Sequence, residues 1–172
     1  DSLAAYASGG WAPAESIGEQ LAGYMVAGGF GAVKMRVGSA DGDARTSARR
    51  VAAAREYLGE GVAIMADAHG TFDCAEAKRF CGLVADCDLA WLEEPVTADD
   101  IAGCAEIRAS TDIPIAAGES IFTRFDFRDL AMARAVDIFQ PDLAICGGIT
   151  EAMRIAALAS SQQIRLAPHM WG

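Results

Sequence analysis

No apolar run in this chain approaches the roughly 20 residues that a membrane-spanning helix needs, so a span is not expected. Basic residues are scarce: 14 stand against 24 acids, a formal net charge of -10. That balance argues against nucleic acid or an anionic membrane surface as partner. It leaves an anionic small-molecule substrate open, because a local cation can override the global field. CxxC pairs are absent. The five cysteines (Cys74, Cys81, Cys87, Cys104, Cys146) fall mostly in helical patterns, where a thiol behaves as a small hydrophobe, and a reducing cytoplasm is the expected setting. There is no low-complexity stretch, and no charged-then-apolar run opens the sequence, so a leader is not expected within these residues. With 172 residues, 52% of them hydrophobic, the chain is expected to form one globular unit with a substantial core.

Strand-like runs occur at 3–7, 32–37, 62–66, 89–92, 115–117, 136–139 and 164–167. Amphipathic helical stretches alternate with them at 15–27, 44–58, 75–84, 101–109, 127–133 and 150–159. Such alternation predicts a parallel sheet, either doubly wound or rolled into a barrel. An open sheet concentrates function at one switch point, whereas here nearly every strand from the second to the seventh ends in a polar or charged residue. Those groups converge only if the sheet curls, which predicts a TIM-like (β/α) barrel of about seven strands. Because a complete barrel has eight, residues 1–172 are expected to be part of a catalytic barrel domain whose last strand is absent. The first residue, Asp1, is consistent with a fragment.

Asp67, Glu93 and Glu119 recur at intervals of 26 residues, each closing a short apolar run. One interval is about one strand-plus-helix unit, and right-handed crossovers bring successive strand ends to the same edge. Three carboxylates crowded at one rim raise one another's pKa unless a cation neutralises them. An all-oxygen donor set suits a hard divalent ion, Mg2+ first and Mn2+ next. The alternative is that each acid merely caps the following helix. Parity selects Glu93 as ligand, since it shares a face with Trp91, and leaves Glu94 beside it as a supporting partner.

On the second strand Lys34 and Arg36 share a parity opposite to the apolar Met35 and Val37, so both cations should point into the barrel. They either act on substrate or simply neutralise the acids. Asp142 and His169 close the sixth and seventh strand regions, and an Asp beside a His fixes the imidazole tautomer and stabilises its protonated form. His169 is therefore a candidate general base. His69, two residues after Asp67, can deliver a proton to a leaving hydroxyl, touch substrate or shape the turn at Gly70. Gly147-Gly148 reads as a plain turn opening a helix capped by Thr150, with an anion nest as the alternative.

Taken together, Lys34-x-Arg36, Asp67, Trp91-Leu92-Glu93-Glu94-Pro95, Gly118-Glu119, and Asp142 followed by His169 resemble the enolase superfamily, specifically its mandelate racemase-like group. The resemblance spans nearly the whole chain. It implies that Asp67, Glu93 and Glu119 bind Mg2+, that His169 and Asp142 form the proton-transfer dyad, and that Lys34 and Arg36 are the basic pair. It also implies removal of the proton alpha to a carboxylate through an enediolate, and an N-terminal capping domain outside this chain. In place of a racemase's second lysine base stands Arg36, which does not deprotonate at neutral pH and so favours one-base chemistry. The expectation is an acid-sugar dehydratase, a hydro-lyase of carbohydrate catabolism forming a 2-keto-3-deoxy acid. A racemase, epimerase or sugar-acid cycloisomerase stays open, as does a non-catalytic metal- and ligand-binding homologue. The expected partner is a hydroxy-carboxylate, with the parent protein a homo-oligomer.

Overall fold

The computed structural model describes residues 4–170. Seven strands alternate with six α-helices among them: β1 Ala7–Gly9, α1 Ile17–Gly28, β2 Ala32–Arg36, α2 Ala44–Leu58, β3 Ala63–Asp67, α3 Cys74–Leu83 and β4 Leu89–Glu93. Then come α4 Ile101–Arg108, β5 Ile115–Ala117, α5 Thr123–Met132, β6 Ile138–Phe139, α6 Ile149–Ser161 and β7 Arg165–Leu166. Every strand pairs in parallel with the next in chain order. A doubly wound sheet would reverse its order part-way. This one never does, so right-handed crossovers place all the helices on one face and leave the other facing inward. The ladder stays open between β7 and β1 among the described residues.

Several helix starts are written locally. The side chains of Asp43, Asp73 and Asp100 accept the backbone N–H groups of Thr46, Glu76 and Gly103 at 2.7, 2.8 and 2.9 Å, satisfying otherwise orphaned donors. α1 ends at Gly29 in the left-handed conformation that glycine adopts without strain. The core fills the layer between sheet and helices. Val33, Met35, Val37, Phe80, Phe127 and Phe139 are buried there, with the Phe127 and Phe139 rings edge to face at 4.9 Å.

Some boundaries differ from expectation. The first strand is Ala7–Gly9 rather than 3–7, because pairing of Ala7 with Val33 and Gly9 with Met35 overrides the poor strand propensity of Ser-Gly. Leu3 lies outside the described residues. α5 begins at Thr123, four residues early, and α6 is capped by Gly148, which places Thr150 inside the helix. No helix among the described residues is long and apolar enough to cross a membrane.

Candidate active site

Parallel pairing sets Arg36, Asp67 and Glu93 side by side at the ends of β2, β3 and β4. Lys34, one inward position earlier, is 3% exposed, and its ammonium lies between Glu93, to which it donates, and Asp67 Oδ2 at 3.6 Å. Arg36 Nη1 donates to Asp67 Oδ1 at 3.1 Å. The predicted parity thus holds: Met35 and Val37 join the helix-facing core while both cations reach the acids.

β5 delivers its acid differently. The strand ends at Ala117, and Gly118 turns the chain with φ +144, a conformation side chains rarely adopt. A Cβ there would lie 2.8 Å from the Phe127 ring and 2.9 Å from the Gln140 backbone nitrogen, so glycine is required for Glu119 to enter the rim. β3 stops at Asp67, and His69 has φ +50 rather than extended geometry. The strand therefore does not extend to His69. Even so, His69 Nδ1 lies 3.1 Å from Glu119 Oε1 and 3.6 Å from Glu94 Oε2.

The seventh strand region brings in the histidine dyad. Asp142 and His169 form a parallel bridge beyond β6 and β7. His169 Nδ1 lies 2.8 Å from Asp142 Oδ2, and Nε2 lies 3.3 Å from Glu119 Oε2. The bond to His169, with the Ala144 and Ile145 amides, holds the Asp142 carboxyl below the usual range.

Negative charge exceeds positive charge here. Burial and the neighbouring Glu93 push Asp67 up; burial, Asp67 and Glu93 push Glu119 up against the opposing pull of His169. Of Asp67, Glu93, Glu94 and Glu119, Glu93 alone moves down: burial opposes, but Lys34 and hydrogen bonds from Gln140, Lys34 and Trp91 prevail. Burial lowers Lys34, yet Glu93 and Asp67 more than reverse this and hold it above its ordinary value. Glu94, 5% exposed, is pushed up to about 7 by burial and by Glu119, Asp67 and Glu93, and its Oε1 has no hydrogen-bond partner among the described residues. His69, Glu94 and Glu119 each offer a ligand atom, all within 4.8 Å of one another. An orphaned carboxylate oxygen among repelling oxygens is the setting a hard divalent cation fits.

All nine residues singled out from sequence therefore meet at this rim. Gln140 was not among them. It donates to Glu93 from just beyond β6, and its only signal was a parity shared with Asp142.

A family model described as "Enolase C-terminal domain-like" matches residues 16–172. A D-galactarolactone cycloisomerase from Agrobacterium fabrum is 37% identical over 84% of the chain and 37% of its own length. A D-galactonate dehydratase from Ralstonia pickettii is 38% identical over 94% of the chain and 43% of its own. The crystal structure of L-talarate dehydratase from Polaromonas sp. JS666, complexed with Mg and L-glucarate, superimposes with a TM-score of 0.88 at 31% identity, covering 99% of this chain and 48% of that one. The chain spans less than half the length of each of these relatives.

Proposed function

Because the chain belongs to the enolase C-terminal domain-like family, we propose that it forms most of the catalytic barrel of a Mg2+-dependent acid-sugar dehydratase. The observation that carries this reading is the Asp142–His169 pair aimed at an overcharged carboxylate rim. Dehydratases of galactonate and of talarate/galactarate among the relatives support the substrate class.

Asp67, Glu93 and Glu119 would hold the Mg2+, with Mn2+ as a substitute, and Glu94 would line the same place. When bound, the ion supplies Lewis-acid stabilisation of negative charge on the substrate carboxylate. The remaining steps belong to this chain's side chains. Lys34 and Arg36 meet the charge that develops as the alpha proton leaves. His169 takes that proton at Nε2, because Nδ1 is engaged by Asp142, whose carboxylate stabilises the imidazolium. The beta-hydroxyl then leaves as water after protonation by the His169 imidazolium or by His69, and the enol left behind becomes the 2-keto-3-deoxy acid. Arg36 cannot act as a second base, which favours elimination over racemisation.

Cycloisomerisation of a sugar lactone or anhydro-sugar acid begins with the same abstraction, and the cycloisomerase relatives favour it as the second reading. The protein that contains this chain would carry a capping domain and an eighth strand, assemble as a homo-oligomer and work in the cytoplasm, where its free cysteines stay reduced. A 2-keto acid assay of that complete protein with Mg2+, against a library of aldonic and aldaric acids, tests the proposal. Metal-dependent keto acid supports elimination, whereas lactones or epimers without keto acid would replace it with the second reading or a racemase.

A further inference from the structure

Gln140 is fully buried just beyond β6, and none of the proton transfers above uses it. Its Nε2 donates to Glu93 Oε2 at 2.6 Å, and its Oε1 is one of two buried side-chain atoms without a hydrogen-bond partner among the described residues. The amide cannot be turned over: its oxygen would then face a carboxylate oxygen with no proton between them. A buried amide with an unpaired carbonyl is a poor choice for stability alone, since an apolar side chain would fill the space without that penalty. Its donor side accounts for its presence. Trp91 Nε1 lies 3.1 Å from the same Glu93 oxygen, and Lys34 holds the other, so donors from β2, β4 and the end of β6 fix both oxygens of one carboxylate.

We propose that Gln140 is a positioning residue: by locking the carboxylate plane of Glu93 it sets the affinity of the rim for Mg2+ and the preference for Mg2+ over larger cations. This rests on the reading of Glu93 as a metal ligand. Mg2+ demands near-octahedral geometry at short distances, whereas Ca2+ accepts longer and more variable ones. A loosened Glu93 should therefore lose Mg2+ selectively.

The test is calorimetric titration of Mg2+ and, separately, Ca2+ into the complete natural protein and its Gln140→Met variant, which keeps the length but removes the donor. Gln140→Asn, too short to reach Glu93, serves as the second variant, and circular dichroism melts without metal report folding. The Mg2+ dissociation constant is expected to rise about tenfold or more in both variants, with that for Ca2+ changing by only about threefold or less. Unchanged Mg2+ binding, equal loss of both ions, or loss of the folded spectrum in both variants would overturn the proposal and leave Gln140 a packing residue. Failure of the wild-type protein to bind Mg2+ would overturn the metal reading as well, whereas wild-type binding matched by the variants sinks the positioning role alone.

Discussion

Two kinds of ion cluster stand in this molecule, and they obey opposite rules. Away from the rim, buried Arg50 and Glu151 each have a partner of opposite sign. Arg50, 5% exposed, donates to the carbonyls of Gly10, Ala12 and Arg36 at 2.8, 2.9 and 2.7 Å and to both oxygens of Asp41. Glu151 of α6 accepts from Arg124 and Arg154, tying α5 to α6. At the rim, five carboxylates face Lys34, Arg36 and two histidines, and one oxygen of Glu94 has no hydrogen-bond partner among the described residues. Paired clusters hold elements together. Excess negative charge in a buried place raises the energy of the fold, and a bound cation relieves it, so imbalance marks the site.

The largest effect is expected at the dyad. In the complete protein His169→Ala should lower keto acid formation and solvent deuterium exchange at the alpha carbon about a thousandfold; exchange at the wild-type rate would remove His169 from the reaction. Arg50→Met should cost about 3–5 kcal/mol in chemical denaturation, because it strands Asp41 and three carbonyls. A loss below about 1 kcal/mol would erase the contrast between the clusters.

Glu94→Gln should act in the opposite direction. A carboxyl whose folded pKa is about 7 binds its proton more tightly folded than unfolded, so stability falls as pH rises from its ordinary value of 4.5 through 7. At pH 8 the metal-free variant should be more stable than wild type by about 1–2 kcal/mol, and melting curves at pH 5 and pH 8 check both sign and window. The smallest effect belongs to Glu151, held at about 2 by the Arg124 amide and by the Arg154 and Arg124 side chains. Its folded pKa is depressed, so its contribution is present above 4.5 and lost as pH falls toward 2. Wild type should therefore lose melting temperature more steeply than Glu151→Gln between pH 5 and pH 3.

Much of the rim was legible because it rests on two simple periods. The 26-residue interval located Asp67, Glu93 and Glu119, and the two-residue strand period turned Lys34 and Arg36 inward. Both follow from backbone geometry that every residue obeys. What was not legible depends on contacts between distant elements. α5 begins early because the Arg124 amide and guanidinium bind Glu151, 27 residues away, an arrangement with no local signal. Gln140 reaches Glu93 across β5, where Ala116 lies opposite Glu93.

The sequence by itself determined the alternation of elements, the common edge at which the polar residues gather and the family to which they point, because hydrophobic period and spacing are local and additive. The tertiary structure alone decided how charge is shared there. It ends β3 at Asp67 and swings His69 onto Glu119, holds Glu93 with donors from β2, β4 and the end of β6, and leaves an oxygen of Glu94 without a partner among the described residues. Coulomb energies and hydrogen bonds depend on distances of a few ångströms between residues far apart in the chain, and those exist only once the sheet has formed.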